Sequence, residues 1–271
     1  MPAIDFDFQR YVARRKGLRA AQVREGAAYA YPGDVRLLRT LDKLRPVQLA
    51  LDETVRLWGH VARAELLGPA LRASPERFVH VHKAVRRCAE ILHIPTPAVY
   101  VTPQPGGVLT LGTDEESYVV LAQGLLDTLS DGELLDVLGR ECGRIQNGHV
   151  PFATALHYLT HAKSTLVRWA VRPATLSLQA WARRADVSAD RAGLLCARDL
   201  DVCQSALAKV ADPTDARQLE RRRRALARFA ASAYYKTVVG SLADSGASAE
   251  EGESQEDCDT AVSRILDDKD E

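Results

Sequence analysis

Apolar residues recur at every third or fourth position over most of this chain, which is the spacing of one buried helix face. The spacing predicts helices over residues 35–71, where breaks divide two or three of them, and over 74–94, 130–148, 182–210 and 217–235. Residues 151–181 are predicted to form one or two helices with a break at Pro173. Ser130-Asp131-Gly132-Glu133 has the form of a capping box, so one helix is predicted to begin there. The chain is therefore predicted to be predominantly helical.

The spacing changes between the helices that end near residue 94 and begin at residue 130. Three short runs rich in β-branched and aromatic residues, separated by turn residues, lie at 98–101, 108–111 and 118–121. Runs of this length with turns between them indicate a small, mostly antiparallel sheet. Together with the helices, they predict an α+β fold.

Charge divides the chain into two parts. Residues 241–271 contain eleven acidic and two basic residues, a net charge of −9, and since the whole chain is neutral, residues 1–240 carry +9. An acidic segment of low hydrophobicity favours disorder. We therefore predict a single domain over residues 1–240 and a disordered acidic tail over 241–271, with a short helix at 260–266.

Other features of the composition indicate the cellular compartment of the protein. No run approaches the roughly 18 apolar residues that a membrane crossing needs, and the first residues lack the basic start and apolar core of a secretory signal. Five cysteines form an odd set without metal-like spacing, which is typical of reduced thiols. These observations predict a cytoplasmic protein.

Residues 140–144, Arg-Glu-Cys-Gly-Arg, have the frame of a metallopeptidase zinc helix. In an H-E-x-x-H helix, two histidines at i and i+4 bind zinc and the intervening glutamate is the general base. Here Glu141 is present, but Arg140 and Arg144 stand at the histidine positions. A guanidinium group has no lone pair to give a metal, so neither arginine can be a ligand.

Three blocks of sequence extend this likeness. They are the strand and turn at 107–112, Gly-Val-Leu-Thr-Leu-Gly; the helix and its end at 130–150; and the segment 185–195, Ala-Asp-Val-Ser-Ala-Asp-Arg-Ala-Gly-Leu-Leu. In these blocks, the chain resembles the HtpX-like zinc metallopeptidases, the gluzincin group that also contains the prenyl-protein proteases. The resemblance is strongest over residues 60–210 and implies a zincin-like fold.

The resemblance also assigns roles to positions. It implies that Arg140, Arg144 and Asp186 stand at the three metal-ligand positions, that Asp190 stands where the family has a carboxylate beside a ligand histidine, and that Glu141 is the general-base position. Since all three ligand positions are changed, we expect no zinc and a vestigial role for Glu141. Unpaired carboxylates in a partly buried site are costly, so we predict ion pairs from Arg140 and Arg144 to the acidic residues. The alternative is an exposed helix face on which Asp136 pairs with Arg140.

These inferences favour a binding role over catalysis. We predict a pseudo-peptidase that binds a polypeptide partner as an adaptor, regulator or assembly component. In peptidases of this kind, a sheet edge holds the substrate by strand addition. The candidate edges are 118–121 and the run Val108, Leu109, Thr110 and Leu111.

Several alternatives stay open. An active peptidase could use a relocated metal at His149, His157 and His161, or metal-free chemistry around Glu141 or the Cys142 thiol. A third class is a basic surface that contacts an anionic membrane or nucleic acid through Arg221, Arg222, Arg223 and Arg224. The same arginines, together with Arg217 and Arg228, could instead form a solvated helix face or bind the chain's own acidic tail.

Overall fold

A computed structural model describes residues 27–57, 68–113, 116–160, 172–212, 214–242 and 252–267. The helices are α1 Pro32–Leu41, α2 Arg45–Leu57, α3 Val79–Ile91, α4 Gln123–Leu126, α5 Asp131–Gln146, α6 Val150–Thr160, α7 Arg172–Ala197, α8 Leu200–Val210, α9 Ala216–Ala231, α10 Ala233–Leu242 and α11 Gln255–Asp267. The strands are β1 Leu71–Arg72, β2 Ala98–Thr102, β3 Val108–Gly112 and β4 Ser117–Ala122. This element content confirms the predominantly helical α+β prediction.

The four strands form one mixed sheet in the order β1-β2-β4-β3. β1 pairs antiparallel with β2, and β3 pairs antiparallel with β4, but β2 and β4 are parallel. The parallel pair arises because β3 folds back as a hairpin on the outer side of β4. As a result, β3 lies at an edge of the sheet, next to α6.

Helices α5 and α7 cross at close distance in the core. A Cβ atom added at Gly143 would lie 2.4 Å from the Cβ of Ala192, and one added at Gly193 would lie 2.4 Å from Asp136 Oδ1. Glycine at these two positions therefore permits the approach of the two backbones. This contact brings residues 140–144 of α5 beside residues 186–190 of α7.

The C-terminal segment differs from the prediction of disorder. Residues 255–267 form α11, which is longer than the predicted 260–266 helix, and its Cys258 and Val262 are fully buried. These residues share one helix face, so a narrow apolar stripe is present within the acidic composition. Asp259 on the same face pairs with the buried Arg191 at 2.7 Å. The predicted helix at 260–266 is therefore present, and the prediction of disorder is wrong for residues 255–259 and 267.

Arg191 links α7 to α11 through its ion pair with Asp259, and both helices pack against α9. Its guanidinium group lies over the Phe229 ring at 4.6 Å and donates to the main-chain carbonyl of Tyr29 at 3.2 Å. Tyr31 and Ser263 hydroxyls are 2.6 Å apart beside it. Within the described ranges, no helix has the length and apolar character that a membrane crossing requires.

Candidate functional site

The site lies on α5, whose start is fixed by the predicted capping box. Ser130 Oγ accepts from the Glu133 main-chain N–H at 3.3 Å, and Glu133 Oε2 accepts from the Ser130 N–H at 2.7 Å. The main-chain N–H groups of Ser130 and Glu133 thus both have acceptors, which fixes the first turn of the helix. The helix then continues into the core, where Cys142 is fully buried between its two neighbouring arginines in sequence, Arg140 and Arg144.

The predicted ion pairs of the two arginines are present. Arg140 Nε lies 2.9 Å from Asp190 Oδ1, and both side chains are about 95% buried. Arg144 Nη2 donates to Asp186 Oδ1 at 2.6 Å, and its Nε lies 3.5 Å from Glu141 Oε1. Arg140 is directed into the protein, so the alternative of an exposed helix face is wrong.

A third arginine, which the sequence analysis did not place at the site, comes from α9. Arg222 donates from Nε and Nη2 to the two carboxylate oxygens of Asp190, at 2.8 and 2.6 Å. Its Nη1 lies 3.6 Å from Asp186 Oδ2, and the side chain is buried. This bidentate geometry is the strongest form of arginine–carboxylate contact.

Arg222 is buried, so the interpretation of residues 221–224 as one basic surface is wrong for this residue. The sequence contains an indication of this burial, because Arg222 precedes the buried Leu226 and Phe229 by four and seven residues on one face of α9. Arg228 on the same helix pairs with Glu253, so the alternative of a contact with the acidic tail is confirmed at that position.

Six charged side chains thus form what we call the ionic cluster: Arg140, Arg144, Arg222, Glu141, Asp186 and Asp190. Its formal charge is zero, because three guanidinium groups face three carboxylates. Burial of any one of these charges without a partner would be strongly unfavourable. The balance accounts for the presence of arginine at both positions of the metallopeptidase frame.

Glu141 is held by two neighbours. Its Oε2 accepts a hydrogen bond from Thr110 Oγ1 on β3 at 2.6 Å, and its Oε1 faces Arg144. The side chain is 4% exposed. A carboxylate in this state has both oxygens engaged, so it is poorly placed to take a proton from a water molecule.

The donor set of the ionic cluster does not fit a zinc ion. Burial lowers the pKa of Arg144, but the charges of Glu141 and Asp186 outweigh this and raise it, so the guanidinium stays protonated. Burial raises the pKa of Asp186, but Arg222 and Arg144 outweigh it and set the pKa to about 2. Within the ranges that the structure describes, no three His, Cys, Asp or Glu side chains are arranged to hold a metal.

The relocated histidine site is not assembled within the described residues. His149 is buried, with Nε2 2.9 Å from Asp34 Oδ2 and its ring edge-to-face against Trp181. Asp34 also accepts hydrogen bonds from Trp181 Nε1 and Ser188 Oγ, at 2.9 and 2.6 Å. His149 thus joins a network that attaches α1 to the core, and His161 lies outside the described residues.

The surroundings of the Cys142 thiol do not activate it as a nucleophile. Burial raises its pKa well above the ordinary value, and the thiol of Cys88 and the carboxylate of Glu141 raise it further. A thiol in such surroundings stays protonated and unreactive at neutral pH. Core packing is therefore the role that the structure supports for Cys142.

A groove of about 470 Å³ opens beside the ionic cluster. Its walls come from β3, α6, α7 and the α8–α9 connection, with Arg140, Glu141, Arg144, Asp186 and Arg222 along one side. Leu109 of β3 is 43% exposed at this groove, and Leu156 and Leu219 contribute further apolar surface. The predicted edge Val108 to Leu111 lies along the groove over its whole length, whereas 118–121 is the inner strand β4 and is not an edge.

The main chain of β3 is oriented for strand addition. Gly107 O accepts from Ala122 N at 2.9 Å, and Thr113 N donates to Glu116 O at 2.8 Å. Hydrogen bonds in an antiparallel ladder alternate between neighbouring residues, so the main-chain groups of Val108 and Thr110 point away from β4. These groups face the groove side of the sheet edge, where an extended peptide could pair with them.

Asp136 is a buried acid that is not part of the ionic cluster. Among the described residues, no N–H or O–H group donates to its two carboxylate oxygens, and the Cys203 thiol interacts with them. Burial raises its pKa from the ordinary 3.8 to about 7; Asp190 adds to this rise, and Arg140 opposes it. Between these two pH values the folded protein holds a proton that the unfolded chain has released, so stability falls as the pH rises from about 4 to about 7.

Replacement of Asp136 by asparagine is expected to stabilise the protein at pH 8 by about 1–3 kcal/mol, because it removes a buried charge without changing the shape. At pH 4, where Asp136 is protonated in the folded state, the gain should vanish. Thermal unfolding of both proteins at the two pH values measures this. Asp127→Asn, a change at an exposed acid, is the control, and an equal effect of Asp136→Asn at both pH values would contradict the prediction.

The chain is similar to a known peptidase family and to several characterised relatives. Residues 75–245 match the family model described as Peptidase family M48. The chain is 30% identical over 152 residues to the plastoglobule-localized metallopeptidase 48, chloroplastic, of Arabidopsis thaliana, a match that covers 54% of this chain and 44% of the relative. It is 26% identical over 124 residues to a protease HtpX homolog of Moorella thermoacetica, with 45% of this chain and 39% of the relative covered.

A second protease HtpX homolog, from Caldanaerobacter subterraneus subsp. tengcongensis, is 30% identical over 89 residues, which are 32% of this chain and 30% of the relative. The matches therefore span less than half the length of each of these relatives. No solved structure matches the chain significantly.

Proposed function

Since the chain belongs to peptidase family M48, we propose that it is a pseudo-peptidase that binds an extended polypeptide in the groove beside β3. In this proposal the protein holds no zinc and cleaves nothing, and it serves as an adaptor, regulator or assembly component. The five cysteines are free and buried, which supports a reducing compartment such as the cytoplasm.

The observation that carries the proposal is the combination of a neutralised site and an open strand edge. Arginines pair with the carboxylates at the positions that the resemblance assigns to metal ligands. The same groove has Val108 and Thr110 main-chain groups directed away from β4, together with the exposed side chain of Leu109. Binding by main-chain pairing needs only the edge and the apolar surface, neither of which depends on a metal.

The proposal is tested with unfolded casein as a defined probe. We expect binding by fluorescence anisotropy and no cleavage over the same period. Val108→Pro removes an outward N–H that β4 does not use, so the sheet should tolerate it, and binding should weaken about tenfold. Leu109→Ser removes exposed apolar surface at the groove and should also weaken binding.

Leu176→Ser is the matched control, because Leu176 is 55% exposed but does not line the groove. Equal binding by all three variants would rule out the β3 edge as the binding site. Cleavage of casein that Glu141→Gln abolishes would establish an active peptidase. Elemental mass spectrometry of protein purified without a chelator or histidine tag should find below about a tenth of an equivalent of transition metal.

A further inference from the structure

Helix α3 presents a basic face on the opposite side from the core. Its apolar side, with Val81, Val85 and Cys88, is fully buried, and the helix packs against α5. The basic residues on its outer side and in the preceding segment are Arg72, Arg77, His82, Lys83, Arg86 and Arg87. We call these six residues the α3 surface.

Acidic neighbours do not neutralise the α3 surface. Glu90 pairs with Arg86 at 3.4 Å, but both side chains are more than half exposed, so the pair contributes little. Glu76 accepts a hydrogen bond from Ser74 Oγ at 2.9 Å. Arg72, Arg77, Lys83 and Arg87 form no ion pair within the described residues. The ionic cluster, in contrast, has an acid for each arginine.

A cavity of about 390 Å³ opens into this surface. Arg72, Ser74, His82 and Arg86 are among its lining residues, and none of its lining residues takes part in the groove beside β3. Guanidinium and imidazole groups around one cavity are donors suited to phosphate oxygens. The cavity is large enough for a phosphate group with its substituent.

Two large aliphatic side chains are exposed in the same part of the chain. Leu71 of β1 is 48% exposed, and Val79, the first residue of α3, is 39% exposed. Nucleic acid would gain little from aliphatic contacts of this kind, whereas a bilayer interface attracts both cationic and apolar side chains. The combination therefore favours an anionic lipid surface over a nucleic acid.

We propose that the α3 surface docks on the headgroups of an anionic phospholipid bilayer, with a lipid phosphate in the cavity between Arg72 and Arg86 and with Leu71 and Val79 at the level of the headgroups. This docking is peripheral. It is independent of peptide binding in the groove, because the two sites share no residue.

The test is co-sedimentation of the full chain with vesicles of phosphatidylcholine alone or mixed with phosphatidylserine. We expect binding only to the mixed vesicles and weaker binding at high salt. Since each basic residue near such a surface is worth about fivefold in partitioning, Arg72→Gln, Lys83→Gln and Arg86→Gln combined should weaken binding about a hundredfold. Leu71→Ser with Val79→Ser should weaken it several-fold at unchanged charge.

The matched control removes the same charge elsewhere, with Arg36→Gln, Arg39→Gln and Lys43→Gln, three exposed changes on and after α1. Equal loss in this control would overturn the proposal, since net charge rather than the α3 surface would then govern binding. Tight binding of duplex DNA without vesicle binding would overturn it in favour of a nucleic-acid site. Full displacement from vesicles by inorganic phosphate at unchanged ionic strength would indicate a site for free phosphate.

Discussion

Replacement of Arg222 by methionine is expected to lower the free energy of unfolding by about 3–5 kcal/mol, because loss of one partner leaves buried charge uncompensated. Arg222 makes the bidentate contact with Asp190 and also faces Asp186. Methionine reproduces the arginine side chain as far as Nε and so keeps the apolar contacts of its stem. The expected loss therefore arises from charge, and it should bring a marginally stable protein close to its unfolding threshold.

Urea unfolding followed by circular dichroism measures this loss. Arg217→Met on the same helix is the control, because Arg217 is exposed and the change should cost less than about 0.5 kcal/mol. Addition of Asp190→Asn to Arg222→Met should recover part of the loss, since it removes one of the uncompensated carboxylates. If Arg222→Met and Arg217→Met have equal stability, the ionic cluster does not contribute to the fold as described.

Zinc binding is expected to appear when the three changed ligand positions are reversed and Arg222 is also removed. The resemblance to zinc metallopeptidases implies Arg140→His, Arg144→His and Asp186→Glu as the reversal. Arg222 would then place a guanidinium charge beside a divalent ion, since it lies 3.6 Å from a carboxylate oxygen of Asp186. The triple variant should therefore bind zinc at least tenfold more weakly than the quadruple variant with Arg222→Met.

Elemental mass spectrometry and the rise in melting temperature on zinc addition measure both variants. We expect close to one equivalent in the quadruple variant and unchanged binding when Glu141→Gln is added, because the resemblance makes Glu141 a base and not a ligand. Failure of the quadruple variant to bind zinc would show that these positions do not form a metal site. Equal affinity of the triple and quadruple variants would show that Arg222 is no obstacle to the metal.

Local pattern was enough to predict much of the fold. The capping box at Ser130 and the three strand runs are short-range features, and the structure contains them. The predicted helix boundary at 181–182 is wrong, because α7 continues through it to Ala197 and α8 begins at Leu200. The ion pairs of Arg140 and Arg144 were also predictable, because the resemblance placed Asp186 and Asp190 opposite them. The parallel pairing of β2 with β4 was not predictable, since it depends on which side of β4 the hairpin folds.

The features that no sequence pattern predicts arise from contacts between distant segments. Arg222 is 32 residues from Asp190, and the run of arginines around it has the composition of a solvated face. Asp34 is more than a hundred residues from His149 and Ser188, and no local pattern indicated that they meet. The full length of α11 was not predictable beyond 260–266, because the acidic composition outweighed the narrow apolar stripe of Cys258 and Val262.

The neighbouring residues Asp190 and Arg191 fix the rotational setting of α7. Successive residues on a helix point about 100° apart. The two side chains have opposite charges and face different neighbouring helices. Asp190 meets Arg140 of α5 and Arg222 of α9, while Arg191 meets Asp259 of α11. A turn of α7 by one residue would separate both charges from their partners at once. This alternating polarity therefore selects a single register among the many that the apolar surface of a long helix would allow.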